Sequence, residues 1–346
     1  MQGILIETHT QHRPNLSIRS HAALAREANG PELSVLSLGL GQDSTAILLK
    51  LIYDKDFRQK YAPNRLLVVT AETNDENPKT YETLAETKEL CLKHGIEFVH
   101  ITPEMGFHSE KWPGLREFYN RTKTVGSKMF PKTCTVRLKI DPIYKFIESY
   151  LGEKYGVATG KKRGYGAFTA KYGKIRMMVG LAQGEEKRVA KPEAFIKEAW
   201  RRDSITTVYP LIDLGYGRAE CQKYIASVDF TVPVPSNCRL CPFMSEQELV
   251  WMHRFMPSDL EDWIRIERNK IENNRQMDSV PEKDKNGDPK LDKNGNVKLV
   301  NKNYGVWGVK LLPEVLEGAL AKFGHLTDDE LWSHKMSHGH CVSSSW

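Results

Sequence analysis

"LSVLSLGLGQDSTAILL", residues 33 to 49, carries the reading on which the fold turns. Leu33 to Ser37 form a short apolar run of strand character, Gly39 and Gly41 make a glycine-rich loop, and a helical pattern begins near Asp43. A strand, a glycine loop and a helix start in direct succession gather several backbone N–H groups around one point, which suits a phosphate. No Lys follows the glycines. Instead Asp43, Ser44 and Thr45 open the helix, and an acid there repels a phosphate unless a cation stands between them. The residues therefore point to a magnesium-bound nucleotide, with Ser44 and Thr45 donating hydroxyl hydrogen bonds. Neither the G-x-x-x-x-G-K-[ST] pattern nor G-x-G-x-x-G is met, since position 44 is Ser. The same residues also read as an ordinary helix start after a tight turn.

Outward from this loop, strand and helix patterns alternate. "RLLVVTAE" (65 to 72), "IEFVHIT" (96 to 102) and "RMMVGLA" (176 to 182) read as buried strands. The helical patterns are "NPKTYETLAETKELCLKHG" (77 to 95), "IDPIYKFIESYLGEKYG" (140 to 156) and "GRAECQKYIASVDF" (217 to 230). Alternation at this spacing implies an α/β fold: a parallel twisted sheet with crossover helices on both faces. After about residue 231 the pattern changes to Pro-rich turns and helices, a smaller helical C-terminal part. The expected division is an arm or helix over 1–30, the α/β domain over 31–230, and a Cys-containing helical region over 231–346. Within the last, "DKNGDPKLDKNGNVKLV" marks a hairpin or flexible insertion over 280–303, because its DKNG repeats lack the ligand spacing of a calcium loop.

At 346 residues with 40% hydrophobic and 27% charged residues, the chain can bury a full core. No apolar run approaches a membrane span and the first residues lack the order of a secretory signal, so the reading is a cytoplasmic protein with no membrane partner. The net charge of +6 is modest, but two stretches concentrate it. "RTKTVGSKMFPKTCTVRLKI" (121 to 140) has six Lys or Arg and no acid, and "TGKKRGYGAFTAKYGKIR" (159 to 176) interleaves Lys and Arg with Tyr165, Phe168 and Tyr172. Either is a solvated basic face or a contact for a polyanion. Two together, with aromatics to stack on bases, favour nucleic acid.

Six cysteines are too few for a disulfide scaffold in a chain this long. Cys238 and Cys241 form C-x-x-C in a turn-rich segment, Cys134 sits in a basic loop, and Cys341 lies in "SHGHCVSSSW". Gathered together, these four suit zinc or an iron–sulfur cluster. Apart, they are buried thiols and a turn. Cys91 and Cys221 fall on helix patterns and read as core.

The loop resembles the S-G-G-x-D-S loop of the PP-loop, N-type ATP pyrophosphatases. "GLGQDS" departs from it in having Gly39 for Ser and Leu40 for the first Gly, with Ser37 placed to supply the displaced hydroxyl as in the subgroup similar to phosphoadenosine-phosphosulfate (PAPS) reductase. "TAETNDENPKTYE" (70 to 82) resembles the second-strand signature through Glu72, Thr73, Glu76, Pro78, Thr80 and Tyr81. "CTVRLKIDP" resembles C-x-x-x-L-K-x-x-P through Cys134, Leu138, Lys139 and Pro142, and "GLAQGEEKRVA" supplies Gly180, Glu185, Glu186 and Arg188. "VYPLIDLGYGRAECQKYI" and "SNCRLCPF" follow in family order, so the resemblance spans about residues 33 to 265.

The resemblance implies that Ser37, Gly39, Gly41, Gln42, Asp43, Ser44, Thr45, Glu72 and Thr73 bind ATP with Mg2+. It implies catalytic roles for Asp43, Ser44, Lys139 and Arg188, and acceptor contacts from Arg137, Lys161, Lys162 and Arg163. It favours a [4Fe-4S] cluster over zinc, on Cys134, Cys238, Cys241 and Cys341, with His338 or His340 as replacements for the last. The nearest resemblance is to the ATP pyrophosphatase component of DNA phosphorothioation systems (Dnd and Ssp types). That implies DNA as acceptor rather than RNA, a cysteine desulfurase as sulfur donor and further modification-system subunits as partners. The other readings are a thioredoxin-linked PAPS reductase, a tRNA thiolation enzyme, and a nucleic-acid-binding subunit with a degenerate nucleotide pocket.

Overall fold

The computed structural model describes residues 30–189 and 196–337. The arm expected over 1–30 therefore falls almost wholly outside the described residues, as do Cys341, His338 and His340. In chain order the main elements begin with β1 (Leu33–Ser37), α1 (Gln42–Tyr53), α2 (Lys55–Tyr61), β2 (Arg65–Ala71), α3 (Pro78–Lys93), β3 (Glu97–Ile101) and α4 (Leu115–Thr122). A π-type turn over Thr135–Ile140 leads into α5 (Asp141–Tyr155), followed by α6 (Arg163–Tyr172), β4 (Ile175–Val179), α7 (Ala199–Ser204), β5 (Ile205–Val208), α8 (Pro210–Leu214) and α9 (Arg218–Ser227). The remainder comprises α10 (Glu246–Phe255), α11 (Pro257–Asn273), the short strands β6 (Val280–Pro281) and β7 (Leu299–Val300), α12 (Leu312–Phe323) and α13 (Asp328–Ser337).

The architecture is the expected α/β one. Five parallel strands lie in the order β3-β2-β1-β4-β5, with Val35 of β1 in register with Leu67 of β2 and Met177 of β4. Period-two alternation sends Val35, Leu67, Val69 and Met177 to one face, where Ile143 and Ile147 of α5 and Tyr165 and Phe168 of α6 cover them. Leu36, Val68 and Met178 point to the other face, under Ile47 and Leu48 of α1, Cys91 of α3 and Cys221 of α9. Both faces are thus buried, which is why these strands read as continuous apolar runs. The short strand β5 is the one that periodicity missed, since four residues carry too little pattern.

One reading of the sequence changes here. The aromatics of the second basic stretch do not face solvent: Tyr165 and Phe168 are fully buried on α6, and Tyr172 packs behind them. The stretch is an amphipathic helix whose aromatics are core and whose Lys and Arg cover the outside. Over 280–303, β6 and β7 pair antiparallel, and the two DKNG repeats form successive turns. In them Asp284 accepts from the N–H groups of Asn286 and Asp288, and Asp292 from those of Asn294 and Asn296. These carboxylates close turns, as Asp does where its side chain replaces a backbone acceptor.

A third core lies beside the sheet, built by α10 to α13 around Trp263, Leu249, Trp251 and Leu312. Leu115 and Tyr119 of α4 and Leu138 join it from the chain before residue 230, so the 106–140 excursion belongs as much to this core as to the sheet.

Candidate active site

β1 stands where the strand order reverses: β2 and β3 lie to one side, β4 and β5 to the other. Loops leaving adjacent strands in opposite directions open a crevice at the carboxyl ends of the strands, where open parallel sheets bind ligands. A cleft open to solvent lies there. Ser37, Gly39, Gly41, Asp43 and Ser44 line it from the β1 loop, Glu72 and Glu76 from the end of β2, Thr135 and Lys139 from the π-type turn, and Gly180, Arg188 and Arg218 from the far side.

The loop is closed by its own side chain. Gly39 N–H donates to Ser44 Oγ (3.1 Å), whose hydroxyl donates to the Gly41 carbonyl (3.3 Å). The first helical bond runs from Thr45 N–H to that same carbonyl, and no side chain caps the start of α1. The earliest N–H groups of the helix consequently have no intrahelical acceptor and are available to an anion. Leu40, where the family pattern has Gly, adopts a left-handed backbone (φ 58°). That conformation costs a non-glycine residue about 1–2 kcal/mol. Leu40 is only 6% exposed, and burying its side chain returns a comparable about 1.5–3 kcal/mol, so the pattern's glycine geometry is retained with a leucine.

Gly180 and Gly41 are required by close approach. A Cβ at Gly180 stands 2.7 Å from Ser44 N and 2.9 Å from Ser44 Cα, and one at Gly41 stands 2.9 Å from Ser236 N. Backbone cannot yield as a side chain can. Gly180→Ala is therefore expected to push β4 away from the loop, lowering stability by about 1–3 kcal/mol and weakening ATP binding. Gly39→Ala, whose Cβ has nothing nearer than 3.8 Å, serves as the tolerated control in thermal melts.

Asp43 is buried beside this loop, and burial pushes its carboxyl up to about 6 against the opposing pull of Arg218. Its Oδ2 lies 3.9 Å from the Arg218 guanidinium, while Oδ1 is buried without a hydrogen-bond partner. Arg218, at the first position of α9, also reaches Glu185 (3.6 Å), and Glu185 pairs with Arg188. The loop that lacks a Lys in sequence thus acquires two guanidinium groups from distant segments. Arg218 was invisible to local reading, because nothing in "GRAECQK" distinguishes it from a surface residue.

Across the cleft Glu72 accepts from the N–H groups of Thr73 (2.8 Å) and Asn74 (2.7 Å), from the Tyr81 hydroxyl (2.9 Å) and from His100 Nε2 (3.1 Å). Burial opposes its charge, but His100, Asn74 and Tyr81 outweigh that and hold it down at about 2. Glu76 pairs with Lys139 at 2.7 Å. The π-type turn brings Thr135 and Lys139 to the same side of the cleft, a backbone form rare enough to mark functional positions.

Not every expected residue reaches the cleft. Thr45 and Thr73 are buried just behind it, whereas Gln42 lines it although its amide donates to the carbonyls of Pro233 and Met336 (both 3.0 Å). Arg137 is exposed and pairs with Asp141. Lys161 and Arg163 are exposed at the start of α6, where Glu148 accepts from Gly160 and Gly164 N–H, and Arg163 turns back on the Gly160 carbonyl. The Lys162 ammonium lies over the Tyr165 and Trp200 rings, and burial lowers its pKa. None of these four basic residues lines the cleft.

Cys134 of "CTVRLKIDP" and Cys238 of "SNCRLCPF" pack in the same third core. Cys238 and Cys241 are buried, Cys134 is half-buried, and after burial itself the charges of these three thiols are what push the Tyr119 phenol upward. Cys238 Sγ lies 3.6 Å from both Thr73 Oγ1 and Glu76 Oε1, and the two segments touch in a one-residue antiparallel bridge, Glu76 to Cys238. Arg239 adds a second link: its N–H donates to the Asp75 carbonyl (2.8 Å), and its guanidinium joins Arg116 around the fully buried Asp75 carboxylate. The C-x-x-C segment is therefore pinned directly to the loop that lines the nucleotide cleft. Among the described residues no three His, Cys, Asp or Glu side chains are arranged to hold a metal ion. Cys91 and Cys221 are core, as read.

Among the described residues no helix is long and apolar enough to cross a membrane. No family model matches the chain, and no curated protein matches it. Among solved structures it is similar to the U34-tRNA thiolase NcsA from Methanococcus maripaludis with its [4Fe-4S] cluster, at 11% identity, covering 93% of this chain and 83% of that one, with a TM-score of 0.34. A superposition this loose assigns no residue and no substrate to this chain.

Proposed function

We propose that the chain is a PP-loop ATP pyrophosphatase that adenylates a nucleic-acid oxygen for sulfur transfer, with a backbone oxygen of DNA as the acceptor. The observation that carries this reading is the uncapped start of α1 beside Asp43, whose buried Oδ1 has no partner, with Arg188 and Arg218 facing it. That combination suits a triphosphate that brings its own cation, and the family-ordered motifs of the sequence converge on the same cleft. Magnesium fits at Asp43, and when bound it spreads the negative charge that grows on the leaving phosphates.

In this mechanism the loop N–H groups hold the β and γ phosphates, and Lys139, Arg188 and Arg218 exchange their carboxylate partners for phosphate oxygens. The acceptor oxygen attacks the α-phosphorus, the bond to the bridging oxygen breaks, and pyrophosphate leaves with the electron pair. Donors fixed before the reaction stabilise that charge without reorganising. A sulfur nucleophile at the oxidation level of sulfide then attacks the acceptor phosphorus and expels AMP with the original oxygen. Neither step changes an oxidation state. Sulfur arriving as the persulfide of a cysteine desulfurase requires two electrons from a thiol reductant before it attacks.

The thiols of Cys134, Cys238 and Cys241 have the softness that a [4Fe-4S] cluster needs but are not arranged as a ligand set in this structure, so a cluster would have to draw them together, with Cys341, His338 or His340 completing the set. The cluster would supply an iron able to carry sulfur. Binding it requires Cys238 to turn from Thr73 and Glu76. Cys238→Ser is expected to remove the brown chromophore and the bound iron and sulfide of anaerobically purified protein, while ATP binding persists.

The deciding experiment follows labelled ATP in anaerobic protein with magnesium, alone, with DNA and with tRNA, beside a PAPS assay with thioredoxin. AMP and pyrophosphate in equal amounts, increased by DNA, support the proposal. Stimulation by tRNA instead moves the acceptor to RNA, and inert ATP with sulfite formed from PAPS makes the protein a reductase.

A further inference from the structure

The two basic stretches differ in what they present to solvent. In the second the aromatics are core. In the first, Met129 and Phe130 are 53% and 57% exposed, and Val309, on the loop packed against them, is 65% exposed. Apolar side chains that large on a loop without a single acid between Arg121 and Ile140 are not accounted for by folding.

The patch is held in place. Lys128 N–H donates to the Val306 carbonyl, and the Lys128 ammonium sits 3.8 Å from the Trp307 ring centroid while donating to the Met244 carbonyl. Behind it, the buried Glu267 carboxylate accepts from Val306 N–H (2.7 Å) and Leu312 N–H (2.6 Å), which fixes the 304–312 loop to α11. Gly308, at φ 90°, leaves room for Met129, whose Sδ lies 3.2 Å from where a Cβ would stand. On this platform the Phe130 ring meets Tyr304 at 5.9 Å with a 60° tilt, leaving Phe130 open outward. Lys123, Lys302 and Lys310 are exposed on the same two segments.

We propose that Phe130, supported by Met129 and Tyr304 on segments that also expose Lys123 and Lys310, is a stacking platform for an unpaired base of the nucleic-acid acceptor. This rests on the functional reading above and specifies how the acceptor is held. An exposed ring on a basic segment is the combination that binds single-stranded nucleic acid: the ring takes a base face, and the ammonium groups take the phosphates. A paired base offers no free face, so the platform favours a single strand or an opened duplex. Five residues separate Phe130 from Thr135 in the cleft wall, so the platform lies within about 18 Å of the cleft along the chain. A strand stacked on Phe130 can therefore present a neighbouring phosphate to the adenylation site.

The test uses the full chain, with fluorescently labelled single-stranded and duplex DNA oligonucleotides titrated over a range of salt. Phe130→Ala is expected to weaken single-strand binding roughly 10-fold with the salt slope unchanged, because a stacking contact is lost and no phosphate contact is. Phe130→Trp is expected to restore it. Lys123→Ala and Lys310→Ala are each expected to reduce the slope of log affinity against log salt by about 0.7. ATP turnover measured without nucleic acid should be the same in all four variants. If the wild-type chain binds the oligonucleotides and Phe130→Ala binds them equally well, the platform is wrong and the functional reading stands. Should the wild type bind no nucleic acid at all, both fall. A change in sedimentation of Phe130→Ala with unaltered oligonucleotide binding identifies the patch as a protein interface and overturns the proposal.

Discussion

Asp43→Asn is expected to abolish magnesium-dependent pyrophosphate release, by a factor on the order of 10²–10³, and at the same time to make the nucleotide-free protein more stable at neutral pH. The two effects have one cause. Burial raises the Asp43 carboxyl from 3.8 to about 6, so folding favours its protonated form. A group raised in this way contributes stability that is fully present below the unfolded value of 3.8 and lost as pH rises through about 6. Two pH units correspond to about 3 kcal/mol, and a side chain only 14% exposed retains most of that. At pH 8 the charged carboxylate is thus a load the fold carries for the sake of a cation. Asn has nearly the same shape without the charge, so thermal melts of the variant should exceed wild type at pH 8 and converge with it near pH 4. Magnesium and ATP should stabilise wild type and leave the variant unmoved. Wild-type pyrophosphate release by Asp43→Asn would remove the cation from the account of the loop, whatever the melts show.

Lys335→Ala is expected to lower stability by about 3–5 kcal/mol, the largest single-site loss anticipated outside the sheet. Lys335 and Glu248 are 2% and 0% exposed and pair at 3.1 Å, with the Lys335 ammonium also near the Trp251 ring. Glu248 in addition accepts from Ser245 N–H at the start of α10. Removing the ammonium leaves a buried carboxylate short of its countercharge, and that desolvation, more than the lost attraction, sets the size of the effect. Lys335→Met with Glu248→Gln should recover much of the loss, because the charge is removed from both partners. The consequence extends to the nucleotide cleft. The Met336 carbonyl, next along α13, receives both the Gln42 and the Gln222 amides, so α13 braces the first residue of α1. Chemical denaturation should show the stability loss, and ATP titration of Lys335→Ala below its melting temperature should show weaker binding. Unchanged ATP affinity in a folded Lys335→Ala protein would confine α13 to the helical core.

The site joins two kinds of information. Residues adjacent in sequence, Ser37 to Ser44, form one wall of the cleft because strand, glycines and helix start follow one another along the chain, and such local geometry is written in local pattern. Glu72, Glu76 and Lys139 were legible for the same reason: each sits in a motif whose neighbours fix its direction. Thr45 and Gln42 show where that logic ends. Both belong to the motif, yet helix rotation turns Thr45 into the core and carries the Gln42 amide to Pro233 and Met336.

By itself the sequence determined the parallel α/β arrangement and the position of the glycine loop at the end of its first strand. These depend on periodicity and on the backbone freedom of glycine, which act over a few residues. Tertiary structure alone decided that Arg218 faces Asp43 and which basic stretch exposes its aromatics. Tyr165 and Phe130 stand in equally basic sequence. One is fully buried because α6 lies against the sheet and needs an apolar face, and the other is exposed because its loop rests on the 304–312 loop through a backbone bond and Lys128. Burial depends on what the rest of the chain places alongside a residue, and a linear pattern does not contain that.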